Sequence, residues 1–170
     1  MRKILTCLCV CLCAATVMAS CGNVRTDGNP FGVFERAFRA EISVLCDGNE
    51  SRIVYTSGDN PSIAFEYPEK IRGFSLTKEE NAFLLSYGGL KTEIPEKFAL
   101  LLRICEGVFS ASPEDISSMR AENNGIGKVC VVSTADAEYV FADDGSPVSI
   151  EGNKDGMAYS LSFSSFGLIS

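Results

Sequence analysis

From residue 38 onward the chain alternates apolar and polar positions with a period of two over most of its length, the pattern of strands that bury one face. Ala40, Ile42 and Val44 point one way, Glu41 and Ser43 the other. Asp47-Gly48-Asn49 is a turn signal. Ile53 and Tyr55 begin the next strand, closed by Ser57-Gly58-Asp59-Asn60-Pro61. Ile63, Phe65 and Tyr67 then alternate with Ser62, Ala64 and Glu66, and Phe74 to Leu76 and Phe83, Leu85 and Tyr87 continue the pattern. This predicts an antiparallel meander with short turns. After residue 127 strands return: 128–134, then Ala137, Tyr139 and Phe141, the turn Asp143-Asp144-Gly145, Val148 and Ile150, the turn Asn153-Lys154-Asp155-Gly156, and finally Met157, Tyr159, Leu161 and Phe163.

Between these blocks the period changes. Phe98, Leu101, Leu102, Cys105, Val108 and Phe109 fall at helical spacing and predict a helix over 96–109, with Leu101 and Cys105 on the face turned to the sheet. Ser112-Pro113-Glu114-Asp115 combines an N-cap residue, a first-turn proline and acids, and predicts a shorter helix to about residue 122, ended by Asn123-Asn124-Gly125. Phe31, Phe34 and Phe38 predict an amphipathic helix over 31–38. The order is helix, about five strands, one or two helices, about four strands: an α+β domain with one large antiparallel sheet.

The N-terminus reads differently. Met1-Arg2-Lys3 precedes an almost wholly apolar run from Ile4 to Val17. A basic start, an apolar core of about 14 residues and small residues before a cut make a secretory signal, too short for a membrane span. Met18-Ala19-Ser20-Cys21 resembles the lipobox of bacterial lipoproteins, with Met18 in place of the usual Leu. The resemblance implies cleavage after Ser20 and diacylglyceryl transfer to the Cys21 thiol. The expected organisation is therefore 1–20 signal peptide, 21–30 lipidated N-terminus and flexible tether, and 31–170 one α+β domain. More than one acyl chain on Cys21 would hold the protein stably on a membrane, each buried methylene contributing about 0.8 kcal/mol.

Charge and composition narrow the chemistry. The net charge is −7. Arg2 and Lys3 belong to the signal, which holds no acid, leaving 13 basic against 22 acidic residues and a net of −9 in the mature chain. That excludes a nucleic-acid partner, which needs a positive face. There is no His and no Trp, so Ser–His and Cys–His nucleophiles are absent, along with the commonest zinc ligand. Of eight cysteines only Cys46, Cys105 and Cys130 lie beyond Cys21. They read as three buried thiols, or as one disulfide and one free thiol. Asp143-Asp144, Glu79-Glu80 and Glu114-Asp115 are sequence neighbours in turns or at a helix start, placed for solvation and dipole compensation rather than for convergence on one bond. Asp143-Asp144-Gly145 lacks the rest of a calcium loop. No metal site, cofactor or catalytic residue is expected.

Three segments carry a family resemblance: Phe38-Arg-Ala-Glu-Ile-Ser-Val44, Phe141-Ala-Asp-Asp-Gly-Ser-Pro-Val-Ser-Ile150 with its D-x-x-G-x-P turn, and Tyr159-Ser-Leu-Ser-Phe-Ser-Ser-Phe166 with its F-x-x-F phrase. With the element order, they resemble the LolA/LolB-like group of bacterial envelope proteins, including LppX-type lipoproteins and RseB-type sensors. The resemblance implies a curled sheet, an incomplete barrel, covered by two or three short helices. It also implies a non-catalytic extracytoplasmic protein that holds a lipid or acylated ligand in the hollow. No family functional residue maps onto this chain.

The candidate cavity wall is Ile42, Val44, Ile63, Phe65, Phe83, Leu85, Tyr139, Phe141, Leu161 and Phe163, alternate residues of predicted strands. A filled half-barrel has the same alternation as a hollow one. A second reading therefore stands beside the first: a protein-interaction or sensor module of an envelope complex, with a fully packed core. In either case the membrane partner is reached through the N-terminal lipid. The Cys21→Ser variant is expected to leave the membrane fraction and to enter the aqueous phase in detergent partitioning; retention in the membrane would overturn the anchor.

Overall fold

The structure, a computed structural model, describes residues 28–125 and 127–169. The expected signal peptide, Cys21 and the tether as far as Asp27 lie outside the described residues.

The period-two segments form strands β1 (Phe38–Cys46), β2 (Asn49–Thr56), β3 (Ser62–Tyr67), β4 (Ser75–Glu79), β5 (Ala82–Tyr87), β6 (Leu90–Ile94), β7 (Ser118–Asn124), β8 (Gly127–Ser133), β9 (Ala137–Ala142), β10 (Pro147–Lys154) and β11 (Met157–Leu168), with one α-helix, α1 (Leu100–Phe109). The strands make one 11-stranded sheet in the order β6-β5-β4-β3-β2-β1-β11-β10-β9-β8-β7. Every pairing is antiparallel. Each half is a meander, and the first and last strands join the halves at the centre.

The sheet is open at β6 and β7 and curls around α1. β4 and β9 stand six strand positions apart in the sheet order, about 28 Å if the sheet were flat. Yet Lys78 of β4 pairs with Glu106 at 2.8 Å, and the Tyr139 hydroxyl of β9 donates to the Val108 carbonyl at 3.0 Å. Two points on the same short helix thus hold both halves. One continuous core takes in Leu76 and Phe83 from one side, Cys130 and Tyr139 from the other, and Leu102, Cys105, Val108 and Phe109 from α1.

A bulge sets the register at the central joint. Ile42 pairs with Phe163 and Glu41 with Ser165, which leaves Ser164 unpaired. The Ser164 hydroxyl donates to the Glu41 carbonyl at 3.1 Å. The extra residue resets the alternation, so Phe163 and Phe166, three apart, both pack against the core.

Several sequence expectations are corrected. The helix predicted over 31–38 is a 3-10 turn, Pro30–Val33, followed shortly by β1. Asn29 Oδ1 accepts from the Phe31 N–H at 3.0 Å to start the turn. Gly32 weakens any helical continuation, and Phe38 is drawn into the sheet, its N–H donating to Ser57 Oγ at 2.8 Å. The helix predicted to residue 122 is a 3-10 turn, Pro113–Asp115, and then β7. Its capping signal is consumed locally, Asp115 accepting from the Ser112 N–H and Oγ at 2.8 and 3.0 Å. Ladder pairing then wins, the Ser117 N–H donating to the Ser133 carbonyl at 2.8 Å. One α-helix among the described residues therefore replaces the two or three expected.

Strand β6 was missed because only Ile94 of Leu-Lys-Thr-Glu-Ile escapes exposure. It is an edge strand carrying Lys91 and Glu93, charges that discourage pairing with another chain. The main helix begins later than expected: Glu96–Phe98 is a 3-10 turn and Phe98 is 64% exposed. The buried stripe is Leu102, Ile104, Cys105, Val108 and Phe109, with Leu101 only partly buried. Leu102→Ala is therefore expected to cost about 2–5 kcal/mol, and Leu101→Ala markedly less, as read from urea unfolding midpoints.

Candidate functional site

The concave face gathers all ten candidate wall residues. Ile42, Val44, Ile63, Phe83, Tyr139, Phe141 and Leu161 are buried, and Phe65, Leu85 and Phe163 pack against them part-exposed. Their partners are α1 and the N-terminal 3-10 turn. Phe31 sits edge-on to Tyr139 with ring centroids 4.9 Å apart, and Phe34 meets Phe109 at 5.0 Å and Phe141 at 6.0 Å. Phe38 lies against Phe109 at 5.1 Å and Tyr55 at 5.5 Å. Aromatic pairs in these tilted and edge arrangements add about 0.5–1.5 kcal/mol each beyond area burial. The middle of the half-barrel is thus filled by the chain's own side chains.

Open space lies beside the last turn of α1. On one side a groove of about 460 Å³ is floored by Phe34, Phe38, Tyr55 and Phe109, with Ser57, Gly58 and Pro61 along one edge and Lys78 and Glu106 at the other. On the other side a cleft of about 420 Å³ runs between α1 and the turn at 134–136. Of the expected wall residues, Tyr139 borders this second cleft and none borders the aromatic groove. A third, open depression lies by Lys128, Asp143 and Asp144. The groove residues Phe34, Phe38, Tyr55 and Phe109 stood in the sequence as apolar periodic positions. Nothing local marked Lys78 or Glu106, which come together only through the curl.

The paired acids are in structural use. Asp144 accepts from the Ser146 N–H at 2.9 Å and from its hydroxyl, bonds that hold its carboxyl below the usual range. Glu79 pairs with Lys91 at 2.6 Å across exposed strands. On the convex face Arg120 joins Glu122 and Glu138 at 2.6 and 3.0 Å. Among the described residues, no three His, Cys, Asp or Glu side chains converge as a metal site.

Cys46, Cys105 and Cys130 are free thiols, Cys105 and Cys130 buried. Burial pushes the Cys105 thiol up to about 12, with the neighbouring Glu106 charge adding to it. Burial likewise raises the Tyr55 and Tyr139 hydroxyls well above the ordinary phenol range. None of these groups is an activated nucleophile.

No protein-family model and no curated protein matches the sequence. Among solved structures, an uncharacterized conserved protein from Thermus thermophilus aligns over 81% of this chain and 82% of its own, at 10% identity and a TM-score of 0.51. That likeness shows a shared fold. A LolA superfamily protein from Nitrosomonas europaea matches over 84% of this chain and 94% of its own, at 12% identity and a TM-score of 0.41.

The raised thiol and phenols have a consequence for stability. The unfolded chain releases these protons first, so above about pH 9 it binds fewer protons than the native state. Stability is therefore full below pH 9 and falls as the pH climbs toward 12. Urea midpoints measured across this range should decline in the wild type and decline less steeply in Cys105→Ala.

Proposed function

We propose that this chain is a non-catalytic, extracytoplasmic lipoprotein, anchored through Cys21, that binds a hydrophobic or lipidic ligand. The observation that carries the reading is the aromatic groove at the end of α1. Four rings, those of Phe34, Phe38, Tyr55 and Phe109, converge on its floor, and Lys78 stands at its rim within 2.8 Å of Glu106. The Lys78–Glu106 pair gives the rim one charge of each sign beside the rings. Because the middle of the half-barrel is filled, an acyl chain enters at this end rather than lying along the whole wall of Ile42, Val44, Ile63 and Leu161.

The second reading, a protein-interaction or sensor module, is favoured by that same filled interior. It is also favoured by the exposed apolar side chains on and beside the β4–β6 half: Leu90 at 78%, Phe98 at 64% and Tyr87 at 53%. The mature domain carrying Cys21→Ser distinguishes the two when titrated with a fluorescent fatty-acid probe and inspected for co-purified lipid by native mass spectrometry. Pro61→Trp, which fills the groove edge, should weaken probe binding about tenfold or more, while Glu66→Lys on the sheet's other face should not. A wild-type domain that binds no probe and carries no lipid would leave the interaction-module reading.

A further inference from the structure

We propose that the sheet edge at β6 pairs with the same edge of a second copy of this chain, in one antiparallel register centred on Thr92. β6 is bonded to β5 on one side, and its other side is free among the described residues. The strand has five residues, Leu90–Ile94, and Pro95 follows it. Only one antiparallel register uses all five. It sets Thr92 against Thr92 of the second copy, Leu90 against its Ile94, Lys91 against its Glu93 and Glu93 against its Lys91. Opposite charges directly across a strand pair stabilise it, and like charges destabilise it. Slipping to either neighbouring register that keeps the faces matched sets Lys91 against Lys91 or Glu93 against Glu93. The two charges that deter an arbitrary strand from this edge therefore admit one pairing, that of the edge with itself.

The apolar side chains around the edge supply a second, separate indication. Leu90, Thr92 and Ile94 share the concave face with their β5 partners Tyr87, Leu85 and Phe83, whereas Lys91 and Glu93 lie on the convex face. Leu85 and Ile94 pack against the core, but Tyr87, Leu90 and Phe98 are left exposed beside them. In the register centred on Thr92, Leu90 meets Ile94 of the second copy, and Phe98 of that copy follows four residues further on. The two-fold repeats this contact, so the bare apolar groups of each copy gather twice along one seam. The opposite edge differs. On β7 the Arg120 guanidinium already joins Glu122 and Glu138 of its own chain, and Met119 is the large apolar side chain exposed there. On β6 Glu93 has no ion-pair partner among the described residues. No β6 residue borders the aromatic groove, so the pairing is independent of the hydrophobic ligand.

The test is sedimentation velocity of the mature chain carrying Cys21→Ser over a range of concentrations. A reversible monomer–dimer equilibrium is expected, since five residues make a short seam. Lys91→Glu and Glu93→Lys each place like charges opposite at both ends of the seam and should weaken the dimer about tenfold or more. Mixing these two variants should restore it as a heterodimer, because every opposed pair is again of opposite sign. The double variant Lys91→Glu/Glu93→Lys should dimerise alone for the same reason. That rescue separates the pairing from damage to the strand itself, including loss of the Lys91–Glu79 pair. Leu90→Ser should weaken the dimer, and Met119→Lys on the other edge should not. Fatty-acid probe binding should be unchanged in Lys91→Glu, so failure of the lipid reading and failure of this one are separately visible. A chain that stays monomeric at every concentration, a dimer indifferent to the single charge reversals, or a mixture that fails to restore it would overturn the proposal.

Discussion

A wide open sheet buries its inner face only if something occupies the hollow, and here a ten-residue helix and three phenylalanines do most of that. Eleven strands laid flat would leave much of that face uncovered. The solution is curvature: the sheet wraps until both halves reach α1, tied by the Lys78–Glu106 pair and by the Tyr139 hydroxyl on the Val108 carbonyl. Among the described residues no polar or charged side chain is fully buried in the core. The enclosure is held by apolar packing and by polar contacts at the helix ends, which keeps the desolvation cost low.

The central joint makes the arrangement cooperative. β1 and β11 pair along nearly their whole length, joining residues more than a hundred positions apart. Neither meander has its inner neighbour without this pairing. Such long-range contacts raise the loop-closure cost of folding and place the start of the domain in the middle of the sheet. Phe31 and Phe34, just upstream of β1, are thereby delivered onto the concave face, where they close the hollow that the curl creates.

That filling moves the open space. With the interior packed, the clefts lie at the end of α1, where its last turn separates an aromatic groove from an acidic cleft. One side has four aromatic rings beside the Lys78–Glu106 pair, the other Glu114, Asp115 and Asp136 with Lys154.

The alternation of apolar and polar residues was enough to set most of the strands, the turns and the identity of the inner face, because a half-buried strand leaves a period-two trace that no other element does. The F-x-x-F phrase of the last strand was visible too, but its meaning was tertiary: only the bulge at Ser164 lets Phe163 and Phe166 share a face. The helix signals at 31–38 and 113–122 were real local preferences, spent in single 3-10 turns because the neighbouring ladder offered more hydrogen bonds. β6 left no trace, since an exposed edge strand has no face to bury. The filling of the wall followed from the curl, and so did the meeting of Lys78 with Glu106. Both depend on distances between strands far apart in sequence, which no local pattern encodes.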